Sequence, residues 1–150
     1  MYVTFRVGTL ALGVPAAAVA EIVPATGVRP LPGMGPALAG VLLGSGGVVG
    51  IVDLALLAGV APTGMRAVMV LGGEPRLGLL VESPDAVPGG YEEPGPEVVD
   101  APLPLLGAIR SADTRFHRVD LDGLRRRLRA LPAGRRQRGG EDGDPDSGGR

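Results

Sequence analysis

The chain has 150 residues, enough for one domain whose core folds unaided, and 45% of them are apolar. With no cysteine and a single histidine, it has no disulfide framework, no thiolate chemistry and no basis for a histidine-built metal site. The net charge of −1 hides an asymmetry: residues 1–122 carry seven Arg against twelve acids, a net of −5, and residues 123–150 carry eight Arg against four acids, a net of +4. The acidic body argues against nucleic acid as a partner.

Aromatic residues are only 3%, so the core must be aliphatic. The 26 glycines and 15 prolines predict frequent turns, and hence many short strands. Along the chain, Tyr2 to Val7 alternates, with Val3, Phe5 and Val7 on one face: a half-buried strand. Gly8-Thr9 turns it, and Leu10 to Val14 returns as its hairpin partner. Pro15 at a first helical position, followed by an Ala-rich run to Val23, predicts a short helical turn. Val28 to Pro36 is a Pro-rich connection.

Val41 to Leu43 and Val48 to Val52 are apolar runs around Gly44-Ser45-Gly46-Gly47. They scarcely alternate, which predicts a hairpin with both strands buried on two faces. Asp53 is placed to cap a helical turn reaching Ala58, closed by Gly59. Arg66 to Leu71 and Leu77 to Val81 predict another hairpin around Gly72-Gly73-Glu74-Pro75. Pro84 to Pro104 reads as loop with exposed Glu92, Glu93, Glu97 and Asp100, and Leu105 to Arg110 and Phe116 to Val119 read as the last strands. From Leu121 the period changes: Leu121, Leu124, Leu128 and Leu131 form one helical stripe, capped by Asp120 or Asp122. From Gly134 the chain has no apolar side chain, so residues 134–150 are expected to form a disordered charged tail after a domain spanning 1–133.

Pro30 to Val52 is 23 residues without a charge, long enough for a bilayer. Three prolines and, from Gly40 to Gly50, five glycines interrupt it, and neither basic cluster nor aromatic belt flanks it, so no membrane span is expected. Met1 to Val7 lacks a basic region leading into an apolar one, so no secretory signal is expected and the cytoplasm is the expected location.

The chemical inventory is thin. A dinucleotide fingerprint counted from Gly44 would need glycine where Val49 stands, and a Walker loop would need the lysine this chain lacks. Ser45 has Leu43 where a nucleophile elbow needs glycine, which argues against a hydrolase built on Ser45, His117 and an Asp. Seven arginines fall between Arg125 and Arg138 with no acid among them. Such a run is most simply a solvated helix face, though it also suits an acidic partner, an anionic lipid surface or nucleic acid.

The order of these pieces resembles the CheW-like domain, the adaptor module of bacterial chemotaxis. The similarity lies in the opening hairpin, in Val19-Ala20-Glu21-Ile22-Val23, and in Leu31-Pro32 ahead of a central motif from Gly40 to Leu54. It continues through Gly59, the run Arg66 to Val70, the strand Leu77 to Glu82 and a closing Val119 to Leu124. The central turn departs from the family pattern, with Leu43-Gly44-Ser45-Gly46 in place of Asn-Leu-Arg-Gly, so that Ser45 stands for an arginine, and Gly50 stands for a proline.

The resemblance implies a mainly β fold of two small SH3-like five-stranded barrels, with short helical turns and a C-terminal helix. It also implies a non-catalytic adaptor with no cofactor. Its partners would be the regulatory domain of a CheA-type histidine kinase and the cytoplasmic tip of a methyl-accepting chemoreceptor. The partner-binding positions it implies are Ser45, Gly46, Val48, Val49, Val52, Asp53 and Leu54, and the loss of the arginine at Ser45 implies weakened receptor coupling. A small-ligand-binding β-barrel is the alternative reading.

Overall fold

The structure is a computed structural model that describes residues 1–33, 35, 37–44, 46–93, 103–111 and 113–130. Ser45, Glu97, Asp100, Leu131 and the expected tail therefore lie outside the described residues. The strands are β1 (Tyr2–Val7), β2 (Leu10–Pro15), β3 (Val19–Pro24), β4 (Leu38–Gly44) and β5 (Gly47–Asp53), then helix α1 (Leu54–Ala58). There follow β6 (Arg66–Leu71), β7 (Leu77–Val87), β8 (Tyr91–Glu92), β9 (Leu105–Ser111), β10 (Thr114–Val119) and helix α2 (Leu121–Ala130).

The fold is mainly β, with short turns and a closing helix, as expected. The two barrels, however, are not separate closed ladders. The ten strands form one sheet in the order β3-β6-β7-β1-β2-β10-β9-β8, with β5 paired to β7 and β4 to β5. The eleven-residue β7 joins the halves: Leu77 to Glu82 pairs with β6, while Glu82 to Val87 pairs with β1. Among the described residues β3 and β4 do not pair, because the outer edge of β4 is taken by Arg29. Its N–H donates to the Val41 carbonyl at 2.8 Å and its carbonyl accepts from the Val41 N–H at 2.9 Å. The proline-rich segment leading there cannot supply a regular ladder.

Alternation sorts the middle strands onto two cores. Val68 and Val70 of β6 join Val49, Ile51, Leu42 and Leu80 in one cluster. Met69 and Leu71 of the same strand join Val52, Leu54, Leu79, Val81 and the first hairpin in the other. Strands buried on both faces read as unbroken apolar runs. Leu124, fully buried, and the half-buried Leu121 and Leu128 seat α2 on the larger core. Asp120, not Asp122, is its cap: Oδ1 accepts from the Gly123 N–H at 3.1 Å.

Three local expectations are corrected. The helical turn stops at Ala18, and Val19 to Val23 are strand, since β-branched residues alternate there between half-buried and exposed. Pro84 does not end β7: between Glu82 and Asp85 the strand holds one residue more than β1 does, with Ser83 at φ 51°. That bulge lets a residue without an N–H sit inside the strand. Glu93 is no loose loop acid. It accepts from Arg110 Nε at 2.6 Å and Arg115 Nε at 2.8 Å, and Arg118 pairs with Glu92 at 3.0 Å. The bond from Arg115, then that from Arg110, holds the Glu93 carboxyl below its ordinary range, against the partial burial that opposes ionisation.

Candidate interaction surface at the central hairpin

The β4–β5 hairpin is anchored at one end and exposed at the other. At its base, Asp53 Oδ1 accepts from the N–H groups of Ala55 at 3.0 Å and Leu56 at 3.2 Å, capping α1 as expected. Gly59, at φ 73°, ends the helix in a left-handed conformation. Arg66 Nη1 reaches both carboxylate oxygens of Asp53 at 3.0 Å. Asp53 is thus committed within the fold.

The tip differs. Leu43 and Val48 face each other across the hairpin, and they are 81% and 64% exposed. Opposite residues in an antiparallel pair share a face, so the two make one outward apolar surface. Their neighbours Leu42 and Val49 point inward to the smaller core. Burial on two faces, expected for the whole hairpin, is therefore corrected at the tip: the runs are apolar throughout, but only the base is sandwiched.

This sorts the seven expected partner-binding positions. Val49, Val52 and Leu54 are each 0% exposed and cannot touch a partner in this fold. Gly46 and Val48 are exposed together at the tip, and Ser45 lies outside the described residues. Reasoning from sequence missed Leu43 and Ile22, which is 44% exposed on β3. The hairpin register, counted back from Val48, was the signal that identifies Leu43.

Sequence spacing gave no hint of Arg76. Its guanidinium packs on Gly46, so closely that a Cβ there would collide with it. Its Nε is shielded from solvent without a hydrogen-bond partner among the described residues. A cation thus stands beside the central turn, brought from the β6–β7 connection. Strand β3 and the tip end of β4 border a groove of about 310 Å³, lined by Glu21, Val23, Pro24, Thr26, Leu42 and Leu43, among others.

His117 lies in β10, paired with β2 and β9, and belongs to a different part of the sheet from the hairpin. Burial, then the nearby Arg115 charge, lowers its pKa, and Glu93 opposes them. Among the described residues no group of three or more His, Cys, Asp or Glu is placed to hold a metal ion. No helix among them is long and apolar enough to cross a membrane, and part of the long uncharged run forms the hairpin.

The family model described as CheW-like domain matches residues 1–89. The solved structure of the scaffolding protein TtCheW from Thermoanaerobacter tengcongensis is similar, with a TM-score of 0.68 and 18% sequence identity over 79% of this chain and 87% of that one. Comparison with curated proteins gives no significant match. At that identity the structural likeness speaks for the fold, and the family match rests on the sequence of residues 1–89.

Proposed function

The chain belongs to the CheW-like domain family, and from that membership we propose that it is a non-catalytic adaptor. It couples a chemoreceptor to the regulatory domain of a CheA-type histidine kinase, in the cytoplasm where those partners meet. The observation that carries this reading is the outward Leu43–Val48 pair on a hairpin whose base is locked into both cores. An apolar pair on a rigid mount suits docking, because little conformational freedom remains to be lost on binding. The contact with the kinase is made by Leu43 and Val48, with Ile22 at its margin, and Val49 and Val52 act only as support.

Titration calorimetry against a CheA-type regulatory domain from the same genome tests this. The native chain binds, and Leu43→Asp and Val48→Asp each weaken binding about tenfold or more without lowering Tm. Separate elution of chain and kinase domain on size exclusion at tens of micromolar sinks the reading. For the receptor, Ser45 supplies one hydroxyl in place of a guanidinium fork, so binding to a standard receptor tip is weak. Ser45→Arg strengthens it; unchanged or weaker binding means that this position does not set receptor affinity.

A further inference from the structure

We propose that the face between α2 and the β6–β7 turn is a second docking surface, for an acidic peptide segment that inserts one apolar side chain. The floor is a pocket of about 160 Å³ lined by Pro75, Leu77 and Leu128, with Arg125 and Arg129 completing it. That volume suits a single aliphatic side chain. The pocket is preformed, because Arg125 ties helix to turn: its Nη1 donates to the Pro75 carbonyl and its Nη2 to the Gly72 carbonyl, each at 2.9 Å. Gly73, at φ 94°, gives the turn a conformation that other residues rarely adopt.

The charge names the occupant. Helix α2 carries Arg125, Arg126, Arg127 and Arg129 against one acid, Asp122, in its first turn. Arg126 and Arg129 are exposed, and Arg129 also lines the pocket. An apolar socket with a cationic rim complements a leucine flanked by Glu or Asp, and repels a basic segment. This face is distinct from the hairpin tip, since Pro75 and Leu77 border the pocket while Arg76 between them packs on Gly46. The inference stands whatever the hairpin binds.

The test uses the full chain, isotope-labelled for NMR, and the synthetic peptide Ser-Glu-Asp-Leu-Glu-Glu-Ser. The peptide shifts the amide signals of Leu77, Leu128 and Arg129. Arg129→Glu weakens it about tenfold, Arg129→Lys retains most of the affinity, and added salt weakens it progressively. Replacing the peptide leucine with serine costs a similar factor. Equal binding of the serine peptide, or indifference to Arg129→Glu, overturns the proposal. So does capture by phosphatidylserine vesicles without any response to the peptide, which would make the face a lipid contact.

Discussion

Arg66 grips Asp53 through one nitrogen, with Nη1 standing 3.0 Å from Oδ1 and 3.0 Å from Oδ2. Oδ1 also caps α1, so a single carboxylate ties β5, the helix and β6 together. Cap and ion pair separate by substitution. Asp53→Asn keeps a capping oxygen and loses the charge; Asp53→Ala loses both. In urea denaturation Asp53→Ala costs about 1–2 kcal/mol and Asp53→Asn clearly less. Equal losses would assign the whole effect to the ion pair.

Glu82 is 2% exposed yet stays ionised. Burial is the largest influence and pushes its pKa up. The Thr63 hydroxyl at 2.8 Å, the N–H groups of Thr63 and Gly8, and the Arg66 charge together outweigh it, so the net shift is downward from 4.5. A carboxyl lowered in the fold stabilises above its unfolded pKa, and that contribution is lost as pH falls through the folded value. His117, also lowered, acts with the same sign at higher pH: stability declines once pH drops below 6.5, as the unfolded chain takes up the proton first. Denaturation midpoints across this range therefore fall in two stages. Glu82→Gln shrinks the lower stage, to which Glu93, also lowered, contributes, and His117→Gln flattens the upper; an upper stage that survives His117→Gln belongs to another group.

Gly13 and Phe116 are packed without slack. A Cβ at Gly13 would stand 2.6 Å from two atoms of the Phe116 ring, and that ring is 1% exposed. Gly13→Ala costs about 1–3 kcal/mol by overpacking. In a Phe116→Leu background the same change costs less, because the smaller side chain yields. Purely additive losses in the double mutant would show that the ring moves aside freely.

Exposure along the central motif predicts a contrast in stability. Leu54→Ala empties a site in the larger core and costs about 2–5 kcal/mol. Leu43→Ala, at the open tip, changes stability by no more than about 0.5 kcal/mol. A large loss at Leu43 would mean that the tip packs against something in the free protein.

The polar composition from Gly134 onward gives one more expectation. Removing residues 134–150 leaves Tm unchanged, since they hold no apolar side chain to bury. A drop of several degrees in calorimetry would place the segment against the body.

Local chemistry was legible from the residues alone. The alternation of Val3, Phe5 and Val7, the Asp53 cap and Gly59 stop, and the stripe of Leu121, Leu124 and Leu128 each depend on neighbours a few positions away, and each is present. The motif order from Tyr2 to Leu124 likewise pointed to the family. Pro84 misled because a bulge accommodates a missing N–H, and a bulge depends on the partner strand. Ala-rich spacing misled at Val19 to Val23 because pairing with β6 overrode a weak local preference. What only the tertiary structure decided is which apolar residues stay outside. Val48 and Val49 are adjacent valines in one strand, and strand alternation sends one to solvent and the other to the core. Which one goes in is set by β7 pairing beside β5, more than twenty residues along the chain. The same long-range packing carries Arg76 to Gly46 and Arg125 to the 72–75 turn, contacts that no sequence period encodes because they join segments whose separation is a property of the fold.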